Sequence, residues 1–192
     1  MTTSSAQRII RQEHAAIAAM LNSTRTLAEA GPGDDDPRAF FESVAAMLFY
    51  VDEFPERRHH PTESNLLFPM LSKAAPELRA VIHRLEMDHV AGEGRVRELQ
   101  HLLLAWRFVG EARRGAFVAA LDEYVRFYLR HMQLEESELL PVVATSLSAA
   151  QQAELDTAFE AARDPLVGGQ SDPVYGALFQ RDFAIPFIGK SR

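Results

Sequence analysis

A chain of 192 residues with a formal net charge of −7 and no cysteine has length for one sizeable core. Its acidity sets it against nucleic acid and anionic membranes as partners, and the missing thiols exclude disulfides, thiolate zinc sites and iron–sulfur clusters. No apolar run reaches the roughly 18 residues of a membrane span, residues 1–12 lack the apolar core of a signal peptide, and the expected location is the cytoplasm.

Helical periodicity runs through most of the chain. The first predicted helix extends from about Ala6 to Ala30, with Ser4 or Ser5 as its cap. It stops at Gly31-Pro32-Gly33-Asp34-Asp35-Asp36, a solvated loop that lacks the remaining ligands of a calcium site. The second starts near Pro37, a favoured first-turn residue, and continues through Phe54 toward Leu71. Pro55 and Pro61 predict a kink or a break within it. The third runs from about Pro76 to Trp106 and the fourth from about Ala112 to Val143. A shorter fifth helix is expected over 148–162, capped by Ser148. Beyond Asp164-Pro165 lies a tail carrying Phe179, Phe183, Ile185, Phe187 and Ile188, too apolar to stay in water. The expected architecture is all-α: an antiparallel, up-down-up-down four-helix bundle over residues 1–165, with its core at 6–145. The tail, 166–192, would pack along the bundle or mediate a homodimer or another protein contact.

Each long apolar stripe carries a histidine. His14 falls among Ile10, Ile17 and Leu21. Val44, Leu48 and Val51 lead to His59 and then Glu63. Leu78, Ile82 and Leu85 lead to His89. Phe117, Leu121, Tyr124 and Tyr128 lead to His131 and Glu135. Residues at i and i+4 share a helix face, so each His–Glu pair can point at one metal or at two adjacent ones. A single histidine on such a face is more often a satisfied core residue; four, two with a carboxylate one turn on, are not explained that way. Two buried carboxylates need a counter-charge, and Arg11, Arg84 and Arg130 fall off the stripes. With no thiolate available, imidazole and carboxylate suit iron, manganese or zinc. Tyr124 and Tyr128 read first as core, and His83 and His101 as surface. Glu13 and Asp88 also read as surface charges, because neighbours on a helix point about 100° apart.

The chain also repeats itself. His59-His60-Pro61-Thr62-Glu63 with Leu67-Phe68-Pro69 matches His131-Met132-Gln133-Leu134-Glu135 with Leu139-Leu140-Pro141, and Glu13-His14 matches Asp88-His89. Two helical hairpins, each giving His and then His with Glu, would meet across a pseudo-twofold axis. The alignment pairs His59 with His131 and His60 with Met132, which selects His59 as the ligand and leaves His60 beside the site or exposed. It likewise selects Glu135 over Glu136.

The segments Phe54-Pro55-Glu56-Arg57-Arg58-His59-His60-Pro61-Thr62-Glu63, Asp88-His89 and His131-Met132-Gln133-Leu134-Glu135-Glu136 with Leu140-Pro141 resemble bacterial members of the hemerythrin family with the HHE cation-binding domain. The likeness spans about residues 6–145, and Asp164-Pro165-Leu166 shares it. It implies two non-haem iron ions, with zinc or manganese as substitutes, bridged by Glu63 and Glu135 and terminated by His14, His59, His89 and His131. The family implies binding of a small gas, dioxygen or nitric oxide, in sensing or in oxidative or nitrosative stress defence. The alternatives are a redox enzyme acting on nitric oxide or peroxide, and a structural metal module working through a partner. One departure stands out: where oxygen carriers have a second histidine one turn from the third-helix ligand, this chain has Leu85 and Glu93. Glu93 becomes a further candidate, as a ligand or as a hydrogen-bond partner of His89, and His60 is the other candidate.

Overall fold

A computed structural model describes residues 4–33 and 36–168. The expectations for Asp34, Asp35 and the apolar tail from 169 onward lie outside these residues. Every regular element described is helical.

Helix α1 (Ser5–Ala30) opens on a reciprocal cap between Ser4 and Gln7 and ends at Gly31, whose φ of 77° favours a residue without a side chain. Helix α2 (Pro37–Glu53) is capped by Asp36. The expected break at Pro55 and Pro61 takes another form. The helix widens into a π turn at Pro55–His59, resumes as α3 (His60–Thr62), widens again at Glu63–Leu67 and continues as α4 (Phe68–Ala74). Helix α5 (Arg79–Val109) follows a 3-10 turn at Pro76–Leu78. Helix α6 (Arg114–Leu134) passes through a third π turn, Glu135–Leu139, into α7 (Leu140–Ser146). Helix α8 (Ala149–Ala162) has a reciprocal cap from Ser148 and Gln151.

The π turns have a common cause. Each ends two residues before a proline: His59 before Pro61, Leu67 before Pro69, Leu139 before Pro141. Proline brings no N–H and its ring presses on the carbonyl four residues back. The ladder adapts by one residue, so that the N–H groups of His60, Phe68 and Leu140 reach back five residues to Pro55, Glu63 and Glu135.

Helix α1 packs against α2, α6 and α8, while α5 packs against α2 and α6. The apolar residues form two clusters. One holds Ile17, Leu21, Phe54, Val96, Trp106 and Tyr128; the other holds Ile9, Ile10, Leu67, Leu85, Leu139 and Phe159. Every long helical run passes from one cluster into the other, and the candidate ligands lie at the crossing. No helix among the described residues is long and apolar enough to cross a membrane.

Candidate metal centre

His14, His59, Glu63, His89, His131 and Glu135 meet in the layer between the two clusters, and none is more than 9% exposed. His60 joins them. Donor atoms of His14, His59, Glu63 and Glu135 all lie within 4.8 Å of one another, and so do those of His60, Glu63, His89 and His131. The two groups share Glu63. Its Oε1 is 3.1 Å from His59 Nε2 and its Oε2 is 3.5 Å from His89 Nε2. Glu135 divides itself in the same way, with Oε2 at 3.3 Å from His14 Nε2 and Oε1 at 3.4 Å from His131 Nε2. Each carboxylate therefore spans both groups.

Of the two secondary candidates, His60 and Glu93, only His60 lies at the centre. His60 is buried and its ring stacks on His89 at 4.0 Å between centroids. It supplies the third imidazole of the His89–His131 group, the one that neither Leu85 nor Glu93 provides. Glu93 is exposed on the outside of α5 and pairs with Arg97 at 2.6 Å, so it is not a ligand candidate. His83 and His101 are on the surface.

Glu13 and Asp88 were expected to be surface charges; the structure turns both inward. Glu13 is buried, and its Oε2 accepts from His59 Nδ1 at 2.7 Å. Asp88 Oδ2 is 3.8 Å from His131 Nδ1. Three further imidazoles have hydrogen-bond partners at Nδ1: His14 with Glu136 Oε1 at 3.0 Å, His89 with Ser64 Oγ at 2.9 Å, His60 with Glu56 Oε2 at 3.0 Å. The arrangement follows the repeat. The residue before each hairpin's first histidine serves its second, and the residue after each glutamate serves the other hairpin's first. The hydrogen bonds at Nδ1 turn the Nε2 atoms of His14, His59 and His89 toward the carboxylates, whereas His131 Nδ1 has no hydrogen-bond partner among the described residues and His60 Nε2 lies 3.2 Å from the Tyr128 hydroxyl. Glu56 also accepts from Tyr128 at 2.8 Å and Tyr124 at 3.4 Å, so both tyrosines are core residues with hydroxyls committed to the site.

Electrostatics separate the two groups. Burial works against the cationic forms of His14 and His59, but neighbouring carboxylates outweigh it and hold both above the ordinary histidine value: Glu135 and Glu136 for His14, Glu63 and Glu13 for His59. Burial prevails at His60, His89 and His131 and keeps them neutral. It also pushes Glu56 up to about 7, against the hydrogen bonds from Tyr128 and Tyr124.

The donor set fits a pair of cations. Both oxygens of Glu63 and both of Glu135 are buried with no hydrogen-bond partner among the described residues, and no arginine or lysine among them neutralises either carboxylate. Without metal, only the raised His14 and His59 oppose the charge of these two carboxylates, which sit together ringed by five imidazoles. Cations bound between the groups would satisfy all four oxygens at once.

The comparisons with known proteins agree with this chemistry. The family model of the hemerythrin HHE cation binding domain matches residues 5–143, which contain every candidate ligand. No curated protein matches the sequence. The chain belongs to the hemerythrin family with the HHE cation-binding domain.

Proposed function

We propose that the chain is a non-haem di-iron protein that binds dioxygen or nitric oxide, in sensing or in oxidative or nitrosative stress defence. Its scaffold on this reading is an antiparallel, up-down-up-down four-helix bundle. Each successive long run crosses between the apolar clusters in the opposite direction to the one before it, which supports that topology. The observation that carries the metal assignment is the division of Glu63 and Glu135 between two histidine groups, with all four oxygens otherwise unpartnered.

One iron would be held by His14 and His59, the other by His60, His89 and His131, with Glu63 and Glu135 shared. Iron supplies open coordination positions and exchangeable electrons for a diatomic gas. The His14–His59 group has one imidazole fewer, so on this reading the gas would bind on that side. Phe159 lies edge-on to His59 and Ile17 lines the same small cavity as that ring, and Glu13 and Glu136 hold the two rings in place.

Metal analysis with absorption spectra tests the reading. Purified chain should carry about two iron ions, with near-ultraviolet and visible bands that change when dioxygen or nitric oxide is admitted to the reduced protein. Glu63→Ala/Glu135→Ala should carry almost none while keeping its helical circular dichroism. Equal metal in both proteins would overturn the assignment. A colourless zinc protein indifferent to either gas would replace it with a structural metal module, and steady turnover of nitric oxide or peroxide would make it an enzyme.

A further inference from the structure

Helix α5 is apolar on two faces. One is buried and carries Ile82, Leu85, His89, Val96, Leu99 and Leu103. On the opposite face Met87 is 52% exposed, Val90 68%, Leu104 51% and Phe108 75%. Among the described residues Phe49 is the only exposed large hydrophobic that lies off this helix. Scattered apolar side chains on a surface are ordinary, but exposed apolar pairs at both ends of one helix face, Met87 with Val90 and Leu104 with Phe108, mark a contact. The outward positions 87, 90, 94, 97, 101, 104 and 108 alternate steps of three and four, the spacing by which two helices interlock along a seam. The seam is about 30 Å long.

The stripe is complementary to itself when a second copy runs antiparallel. Met87 then faces the second copy's Leu104, and Val90 faces its His101. Gly94, where an added Cβ would meet nothing within 4 Å, leaves room for the stem of the second copy's Arg97. In the same register Glu86 falls beside the second copy's Arg107, and the symmetry makes that pair twice. A parallel, in-register pairing would leave Glu86 and Arg107 about 30 Å apart along the axis and unpaired. The chain's own C-terminal end starts from elsewhere: α8 and the turn Pro165–Val167 pack on α1, whereas α5 packs on α2 and α6.

We infer that the outward face of α5 is the twofold interface between two copies of this chain, joined antiparallel with Glu86 and Arg107 paired across it. Sedimentation of the metal-loaded full chain at micromolar concentration should give twice the chain mass. Glu86→Arg and Arg107→Glu should each sediment as the monomer with unchanged metal content, and the double exchange should restore the dimer. Because the chain has no native cysteine, disulfide trapping is clean. Met87→Cys/Leu104→Cys should cross-link between chains on mild oxidation, and neither single variant should. A monomeric wild type overturns the inference. So does a dimer that survives both single reversals, or cross-linking by Met87→Cys alone. If the wild type is monomeric and a chain ending at Gly168 associates, residues 169–192 cover the stripe instead.

Discussion

His59 and His60 are chain neighbours, and a helix turns adjacent side chains about 100° apart. That separation does not put one of them outside. It lets the pair straddle the centre, His59 reaching the His14 group and His60 the His89–His131 group. Replacing His60 with Ala should therefore halve the metal content, roughly, by opening one group while the other keeps its imidazoles; metal analysis beside Thr62→Ala, two residues on and outside the centre, checks this. A finer test concerns Glu13. Glu13→Gln keeps shape and volume but loses the carboxylate that fixes the His59 tautomer. Competition with a chelator should show metal affinity weaker by about 10–100-fold; an unchanged affinity would reduce Glu13 to packing. The four stripe histidines and both glutamates were legible in the sequence because each lies at helical spacing within an apolar run. The backing residues were not. Glu13 serves His59 on another helix rather than its neighbour His14, and only the packing of helices, which periodicity does not encode, brings them together. His60 was kept only as a secondary candidate because its counterpart in the repeat is Met132, so symmetry pointed away from the one ligand candidate that breaks it.

Helix extents followed from caps, breakers and apolar spacing, and both ends of α1 and α8 and the start of α2 fall within a residue or so of expectation. The π turns did not follow. Pro55 and Pro61 announced a disturbance, but a proline pattern is equally compatible with a kink, and nothing local distinguishes a one-residue widening from a bend. The choice is made by what the widened turn must deliver, here Glu63 and Glu135 at the start of matching turns. Close approach between elements is similarly invisible until they pack. Gly92 of α5 lies against Glu56, where an added Cβ would sit 2.8 Å from Oε1. A Gly→Ala change inside a helix ordinarily stabilises by up to about 1 kcal/mol. Gly92→Ala should reverse that sign, because Glu56 is held by Tyr128, Tyr124 and His60 and cannot swing away without leaving those groups unpaired. Thermal melts beside Gly115→Ala, where nothing lies within 4 Å, separate the two effects. A Gly92→Ala protein as stable as Gly115→Ala, with full metal content, would show that Glu56 yields freely.

At the scale of the molecule, helix α8 and the turn after it close the centre from outside. Asp164 N donates to Glu13 Oε1 at 2.8 Å, and Asp164 accepts from Tyr50, so the end of α8 is tied through Glu13 to His59. The price of this closed, charged interior is a dependence on protons that differs with and without metal. In the metal-free chain His14 and His59 titrate above the 6.5 of an ordinary histidine, and burial raises the Glu56 carboxyl to about 7. All three bind protons more tightly folded than unfolded. The stability they contribute is complete below pH 6.5 for the histidines and is lost as pH rises through their folded values. His60, His89 and His131 are shifted the other way, so they act only below 6.5, where the unfolded chain takes up protons that the folded one refuses. Above neutrality their influence vanishes, and the metal-free melting temperature should fall steadily as pH rises from 7. Metal reverses the dependence, because it requires neutral imidazole and ionised carboxylate and takes the place of the protons at His14 and His59. The gap between the loaded and metal-free melting temperatures should therefore widen with pH over the same interval. Calorimetry of both forms from pH 6.5 upward measures it directly. A metal-free protein whose melting temperature holds or rises there would mean that the carboxylates around His14 and His59 do not retain those protons, and that the centre is neutral before the metal arrives.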